Sequence, residues 1–145
     1  MAAAAELMLE VALAMLERDG RWLVQLRDDI PGIVAPGCWG LFGGHLEPGE
    51  SPEQAVRREL QEEISWCCGD LPFWFRHSNP QRIAHFFRSS LPLSLDGLQL
   101  LEGQDMTLAG LDELAAGEVW SPRLQQSRPL APSLQLALET LRRNP

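Results

Sequence analysis

Apolar positions along the chain change period several times, and each change marks an element boundary. Residues 7–17 (LMLEVALAMLE) form a nearly unbroken apolar run that ends at Arg18-Asp19-Gly20, a turn signal. Residues 21–27 read as a second strand, so the two segments predict a hairpin, with a helix left open for the Ala- and Leu-rich first one. Residues 28–37 carry two Pro and two Gly and predict a loop. A short apolar strand over 39–42 then runs into Gly43-Gly44, and a second loop over 45–50 turns at Pro48-Gly49.

The clearest helix signal begins at Ser51. Ser suits the N-cap, Pro52 the first helical position, and Gln54 stands at N3 to complete a capping box. The helix should reach Ile64 or Ser65, with Gly69 as the next strong breaker. Strands are expected over 71–76 and 82–88, joined by a turn at His77-Ser78-Asn79-Pro80. Residues 90–103 read as loop, 105–109 as a short strand and 111–116 as a short helix. The Pro-rich stretch around Pro122 and Pro129 shows no periodicity. Leu134, Leu138 and Leu141 then give residues 132–143 a helical stripe.

At 145 residues with 45% hydrophobic content, the chain is expected to form a single domain over 1–145 with a real core. Twelve basic residues against twenty acidic ones leave a net charge of −8, which disfavours nucleic acid as a partner. It does not exclude small phosphorylated ligands, since carboxylates reach phosphates through a divalent cation. Every basic residue is Arg, so any basic contact to phosphate must come from a guanidinium. Cys38, Cys67 and Cys68 lack zinc-site spacing and read as reduced thiols. The Ala-rich start at residues 1–6 has no basic residue, and the apolar run 11–16 is too short to span a membrane. No membrane partner and a cytoplasmic location are the expectation.

The chemistry concentrates in residues 44–66, GHLEPGESPEQAVRRELQEEISW. On a helix, Glu59, Glu62 and Glu63 stand at i, i+3 and i+4 and crowd one face, while Val56, Leu60 and Ile64 line an adjacent face suited to packing. Like charges at this spacing repel. Arg57 and Arg58 offset part of that, and a hard divalent cation such as Mg²⁺ or Mn²⁺ offsets it better. A merely solvated helix could show the same three acids. Gly43-Gly44 and a Pro-Gly turn directly ahead of the helix set this one apart, because they bring a tight loop and its carbonyls beside the helix start.

These residues resemble the Nudix family, whose box reads G-x5-E-x7-R-E-U-x-E-E-x-G-U with U a bulky apolar residue. Gly44, Glu50, Arg58-Glu59-Leu60, Glu62-Glu63 and Trp66 occupy its fixed positions, and Ser65 stands where the pattern has Gly. The resemblance implies an α/β fold, a Nudix-type α/β/α sandwich around a mixed central sheet. It implies that Glu59, Glu62 and Glu63, with the carbonyl of Gly44, ligate Mg²⁺ (Mn²⁺ being the alternative), and that Glu50 pairs with Arg58 to hold loop and helix together. Glu102 resembles the further glutamate of MutT-type enzymes, and Glu63 or Glu102 would serve the attacking water. Arg27, Arg82 and Arg88, at or near strand ends, are candidates for phosphate contacts.

The implied activity is hydrolysis of a diphosphate linkage in a nucleoside diphosphate derivative: a nucleotide sugar, ADP-ribose or a nucleoside triphosphate. The alternative is a catalytically silent Nudix-like domain that binds a nucleotide as a sensor. Such domains typically lose a box glutamate, and all are present here. The partner is a nucleotide-type small molecule, and a homodimer is compatible with the sequence.

Overall fold

The computed structural model describes residues 9–145, so the Ala-rich start and the first two residues of the expected strand over 7–17 lie outside the described residues. Strand β1 (Leu9–Arg18) turns into β2 (Arg21–Leu26) through Asp19 and Gly20, both at positive φ, as a two-residue hairpin turn requires. Two short strands follow, β3 (Trp39–Gly40) and β4 (Phe42–His45), then helix α1 (Pro52–Ile64), β5 (Phe73–Ser78) and β6 (Arg82–Ser90). After a 3-10 turn at Leu95–Gly97 come β7 (Asp105–Gly110), α2 (Leu111–Ala116), the hairpin β8 (Glu118–Ser121) and β9 (Gln126–Pro129), and α3 (Pro132–Arg143).

Seven strands form one mixed sheet; β1 and β6 are parallel and the other pairs antiparallel. The first hairpin is short-lived. β1 and β2 pair only at Glu17–Trp22 and Arg18–Arg21, then part. β4 takes the freed edge of β1, while β3 pairs with β2, whose other edge carries β7. This is why the expected single strand over 39–42 is two strands: the chain crosses from one partner to the other at Leu41.

Alternation along β1 explains its unbroken apolar run. Val11, Leu13 and Met15 belong to one core, which α3 covers with Leu134, Ala137, Leu138 and Leu141. Ala12, Ala14 and Leu16 belong to a second core on the opposite face, covered by α1 through Ala55, Val56, Leu60 and Ile64. A strand buried on both faces has no polar side to show, which settles it as strand rather than helix. Helices thus cover both faces of the mixed sheet, as an α/β/α sandwich requires. No described helix is long and apolar enough to cross a membrane.

The Pro-rich stretch around Pro122 and Pro129, which shows no periodicity in sequence, forms a hairpin. β8 and β9 pair from Glu118–Pro129 to Ser121–Gln126. Buried Asp105 pins the turn between them, accepting from Ser121 Oγ at 2.7 Å and from the Arg123 N–H at 3.2 Å. Pro129 ends the pairing rather than interrupting it.

The expected cap of α1 is present. Ser51 Oγ accepts from the Gln54 N–H at 3.1 Å, and Gln54 Oε1 accepts from the Ser51 N–H at 2.9 Å. At the other end Ser65 is left-handed, at φ 53° and ψ 45°, a conformation that favours glycine. Ser65→Gly should therefore stabilise the protein by about 1 kcal/mol, raising Tm by about 2–4 °C. An unchanged or lower Tm in thermal denaturation would contradict this reading of the helix end.

Candidate active site

The loop before α1 brings the box residues together, and its two glycines make the fit possible. Gly43 has φ +139°, and a Cβ there would stand 2.8 Å from Leu13 Cα. Its N–H instead points at α1 and donates to Glu63 Oε1 at 2.8 Å. At Gly44 a Cβ would lie 2.7 Å from the Glu59 carboxyl, so only glycine lets that carboxyl rest against the loop backbone.

Arg58 ties the loop to the helix. Its Nε donates to Glu50 Oε2 at 2.8 Å and its Nη2 to Glu50 Oε1 at 3.0 Å, a bidentate pair, while Nη2 also reaches the His45 carbonyl at 3.0 Å. The Arg58 hydrogen bonds hold the Glu50 carboxyl down at about 2. Nη1 donates to Glu59 Oε1 at 2.9 Å and to Glu62 Oε2 at 3.2 Å. Arg57 does not share in offsetting the acidic face, contrary to expectation. It turns to Glu53 at 3.0 Å and to the carbonyls of Cys68 and Gly69 at 2.6 and 2.8 Å, fastening the chain that leaves α1.

The three glutamates share a face but not an environment. Glu62 has a half-exposed side chain, Glu59 is mostly covered, and Glu63 is 4% exposed. Burial pushes the Glu63 carboxyl up to about 9, against the Gly43 N–H, and the charges of Glu59 and Glu102 push it the same way. Burial also raises Glu59. Glu102 is brought near by backbone bonds: the Leu101 and Gln99 N–H groups donate to the carbonyls of Glu63 and Ile64 at 2.8 and 3.2 Å, and Gln25 Nε2 donates to the Glu102 carbonyl at 3.0 Å.

One cavity of about 510 Å³ gathers Gly44, Arg58, Glu59, Glu62, Glu63 and Glu102. Arg27 and Arg82 line it too, and burial together with the Arg27 charge lowers Arg82 from the usual guanidinium range. Arg88 does not join them. Its guanidinium lies 5.4 Å from the ring centres of both Trp22 and Trp74, and it borders a separate, shallower cavity of about 640 Å³ that contains none of the box acids. Arg82 and Arg88 share the α3-side face of β6 with Ala84 and Phe86 but stand at opposite ends of the strand, opposite Leu9 and Met15 of β1, and the cavity with the glutamates lies at the Arg82 end. Trp22 on β2 and Trp39 on β3 are core.

A divalent cation fits this donor set by chemistry: hard oxygens, a cradle that only glycine leaves open, and mutual repulsion that a cation relieves. Among the described residues no three His, Cys, Asp or Glu side chains are already drawn together at ligating spacing. The cause is visible, since Arg58 holds Glu59 and Glu62 while the Gly43 N–H holds Glu63. A cation held by these glutamates would take the place of these partners.

The raised Glu63 carboxyl gives this a proton signature. In the folded protein without a cation Glu63 binds its proton until about pH 9, so its contribution to stability is full below the unfolded value of 4.5 and is lost as pH rises through about 9. If Glu63 ligates a divalent cation, binding near pH 7 should then release about one proton per ion, and none well above pH 9. Calorimetric titration in buffers of different ionisation heat measures this, and release that is independent of pH would contradict it.

Similarity to known proteins agrees with the geometry. The profile of the NUDIX domain matches residues 7–122. The chain belongs to the Nudix family. Nucleoside triphosphatase NudI of Escherichia coli O1:K1 / APEC is 41% identical over 54 residues, which are 37% of this Nudix chain and 38% of that relative. The match therefore spans well under half the length of the curated relative. The crystal structure of a MutT NUDIX hydrolase from Burkholderia pseudomallei superposes with a TM-score of 0.70 at 23% identity, covering 92% of this chain and 97% of that one. The NUDIX domain of Shewanella oneidensis NrtR, solved with ADP ribose, gives 0.71 at 20% identity, covering 94% and 87%. At these identities the structures speak for the fold.

Two features of the site were not legible in the Nudix box. The Gly43 amide as partner of Glu63 needs the positive φ of Gly43, which the sequence hints at only through the paired glycines. The contact of Arg128 with the loop over 28–37 has no local sequence signal at all.

Proposed function

We propose that this protein is a Mg²⁺-dependent hydrolase that cleaves a phosphoanhydride in a nucleoside triphosphate. The observation that supports it most is the single cavity with Glu59, Glu62, Glu63 and Glu102 beside Arg27 and Arg82: acids for a cation and guanidiniums for phosphate in one space. The name of the NudI relative adds support for the triphosphate. Glu59, Glu62 and Glu63, with the Gly44 carbonyl, would hold the ion. When bound, it supplies charge neutralisation on the phosphoryl oxygens and makes water a better nucleophile.

The remaining work falls to the chain itself. Arg27 and Arg82 bind and orient the phosphates. Glu63 or Glu102 orients the attacking water and takes up its proton. Arg58 and Glu50 position the loop and helix.

The test is release of the nucleoside mono- or diphosphate product, resolved by chromatography, from a panel of nucleoside triphosphates, ADP-ribose and nucleotide sugars, with Mg²⁺ and with chelator, using Glu62→Gln as control. Mg²⁺-dependent release fastest from triphosphates supports the proposal. A preference for ADP-ribose or a sugar nucleotide overturns the substrate, and release from none overturns the activity in favour of a nucleotide sensor.

A further inference from the structure

The loop over 28–37 forms part of the wall of the cavity that holds the glutamates, through Val34 and Ala35. Its neck is closed by two backbone bonds, Arg27 N–H to the Cys38 carbonyl at 2.9 Å and Gly37 N–H to the Asp28 carbonyl at 3.0 Å. Inside the loop, Arg27 Nε donates to the Val34 carbonyl at 2.6 Å, so the loop also fixes the guanidinium offered to phosphate.

Both arms of the loop are held by one residue from far along the chain. Arg128, on β9, donates from Nη2 to Asp29 Oδ2 on the outgoing arm and from Nε to the Gly37 carbonyl on the returning arm, each at 3.0 Å. Its third contact, Nη1 to Gln126 Oε1 at 2.7 Å, anchors the guanidinium to its own strand. The fit is close. Gly37 has φ +69°, and a Cβ there would stand 3.1 Å from Arg128 Cζ. The next residues continue the junction, since the Ala131 N–H donates to the Trp39 carbonyl at 2.7 Å, and Ala131 itself lines the cavity. Arg128 lies beyond the segment 7–122 that the NUDIX profile matches, so the shared family pattern does not supply this contact.

We propose that Arg128 is a positioning residue that sets how tightly the cavity holds its nucleotide, by stapling the two arms of the 28–37 loop and so fixing Val34, Ala35 and the Arg27 guanidinium. It touches none of the box glutamates, so its effect falls on binding and not on the chemical step. A planar fork is needed to bridge two arms at once, which a lysine ammonium does not reproduce.

This inference rests on the proposed nucleotide hydrolysis, and its test separates the two. With the best nucleoside triphosphate, Arg128→Met should raise KM about tenfold and leave kcat within about twofold, the split expected when binding alone is weakened. Arg128→Lys should behave like Arg128→Met. Asp29→Asn, at a side chain 59% exposed and so harmless to folding, should raise KM by a smaller factor. An unchanged KM in Arg128→Met and Asp29→Asn overturns the proposal, and so does a wild-type KM in Arg128→Lys, which would show that charge alone matters. If the wild-type protein cleaves nothing, the hydrolase reading fails by itself. The staple is then judged by hydrogen exchange: faster exchange of amides 29–36 in Arg128→Met supports it and equal rates overturn it. The affinity claim is judged by Kd for a triphosphate with a methylene bridge between its α and β phosphorus, where a weaker Kd in Arg128→Met supports the claim and an equal Kd overturns it.

Discussion

Glu62→Gln is expected to lower kcat by at least about 100-fold, the scale on which enzymes lose rate when one preorganised charge-stabilising group is removed. Glutamine keeps the size of the side chain and removes the charge that a divalent cation needs. The fold should not suffer. The Glu62 side chain is 52% exposed, and its one ionic contact among the described residues, to Arg58 at 3.2 Å, is a solvent-facing pair worth about 0–1 kcal/mol. Steady-state kinetics and thermal denaturation of the same preparation decide the matter. A variant with normal kcat, or one whose lost activity follows a lost fold, would remove Glu62 from the set of cation ligands.

Trp39→Ala should have the largest effect on stability. The side chain is fully buried in the α3-side core, and its Nε1 donates to the Val119 carbonyl at 2.9 Å. Truncation leaves a cavity costing about 3–5 kcal/mol and strands that carbonyl, so Tm should fall by at least about 10 °C. Trp39→Phe keeps most of the ring and loses the hydrogen bond, and should fall between the two. A loss under about 1 kcal/mol for Trp39→Ala in calorimetric unfolding would mean that the junction of β3 with the C-terminal hairpin is not a point of cohesion.

What the sequence made legible follows the range of the forces involved. The capping box of α1, the hairpin turn at Asp19-Gly20 and the span of α3 are local, written in side chains one to four residues apart. The acid cluster was legible because a helix converts spacing directly into a shared face. The Glu50–Arg58 pair was implied by the family resemblance, and the structure brings the two together. The misreadings concern contacts across the chain. Arg57 looked like a partner for the acids until the exit of α1 supplied two carbonyls. Arg88 looked like a phosphate ligand until the structure showed at which end of β6 the glutamates gather. The hairpin of β8 and β9 stayed hidden because its turn is stabilised by Asp105, which is far from it in sequence. The same applies to Arg128, 99 residues from its partner Asp29.

The two-sided burial of β1 has an evolutionary corollary. Odd positions of that strand answer to one core and even positions to the other. The acid-bearing helix and the segments that shape the pocket wall therefore rest on opposite sides of a shared partition and meet only at its rim, near Gly43 and Gly44. A lineage can then rework the wall, and with it the choice of molecule admitted, while the machinery across the partition stays as inherited.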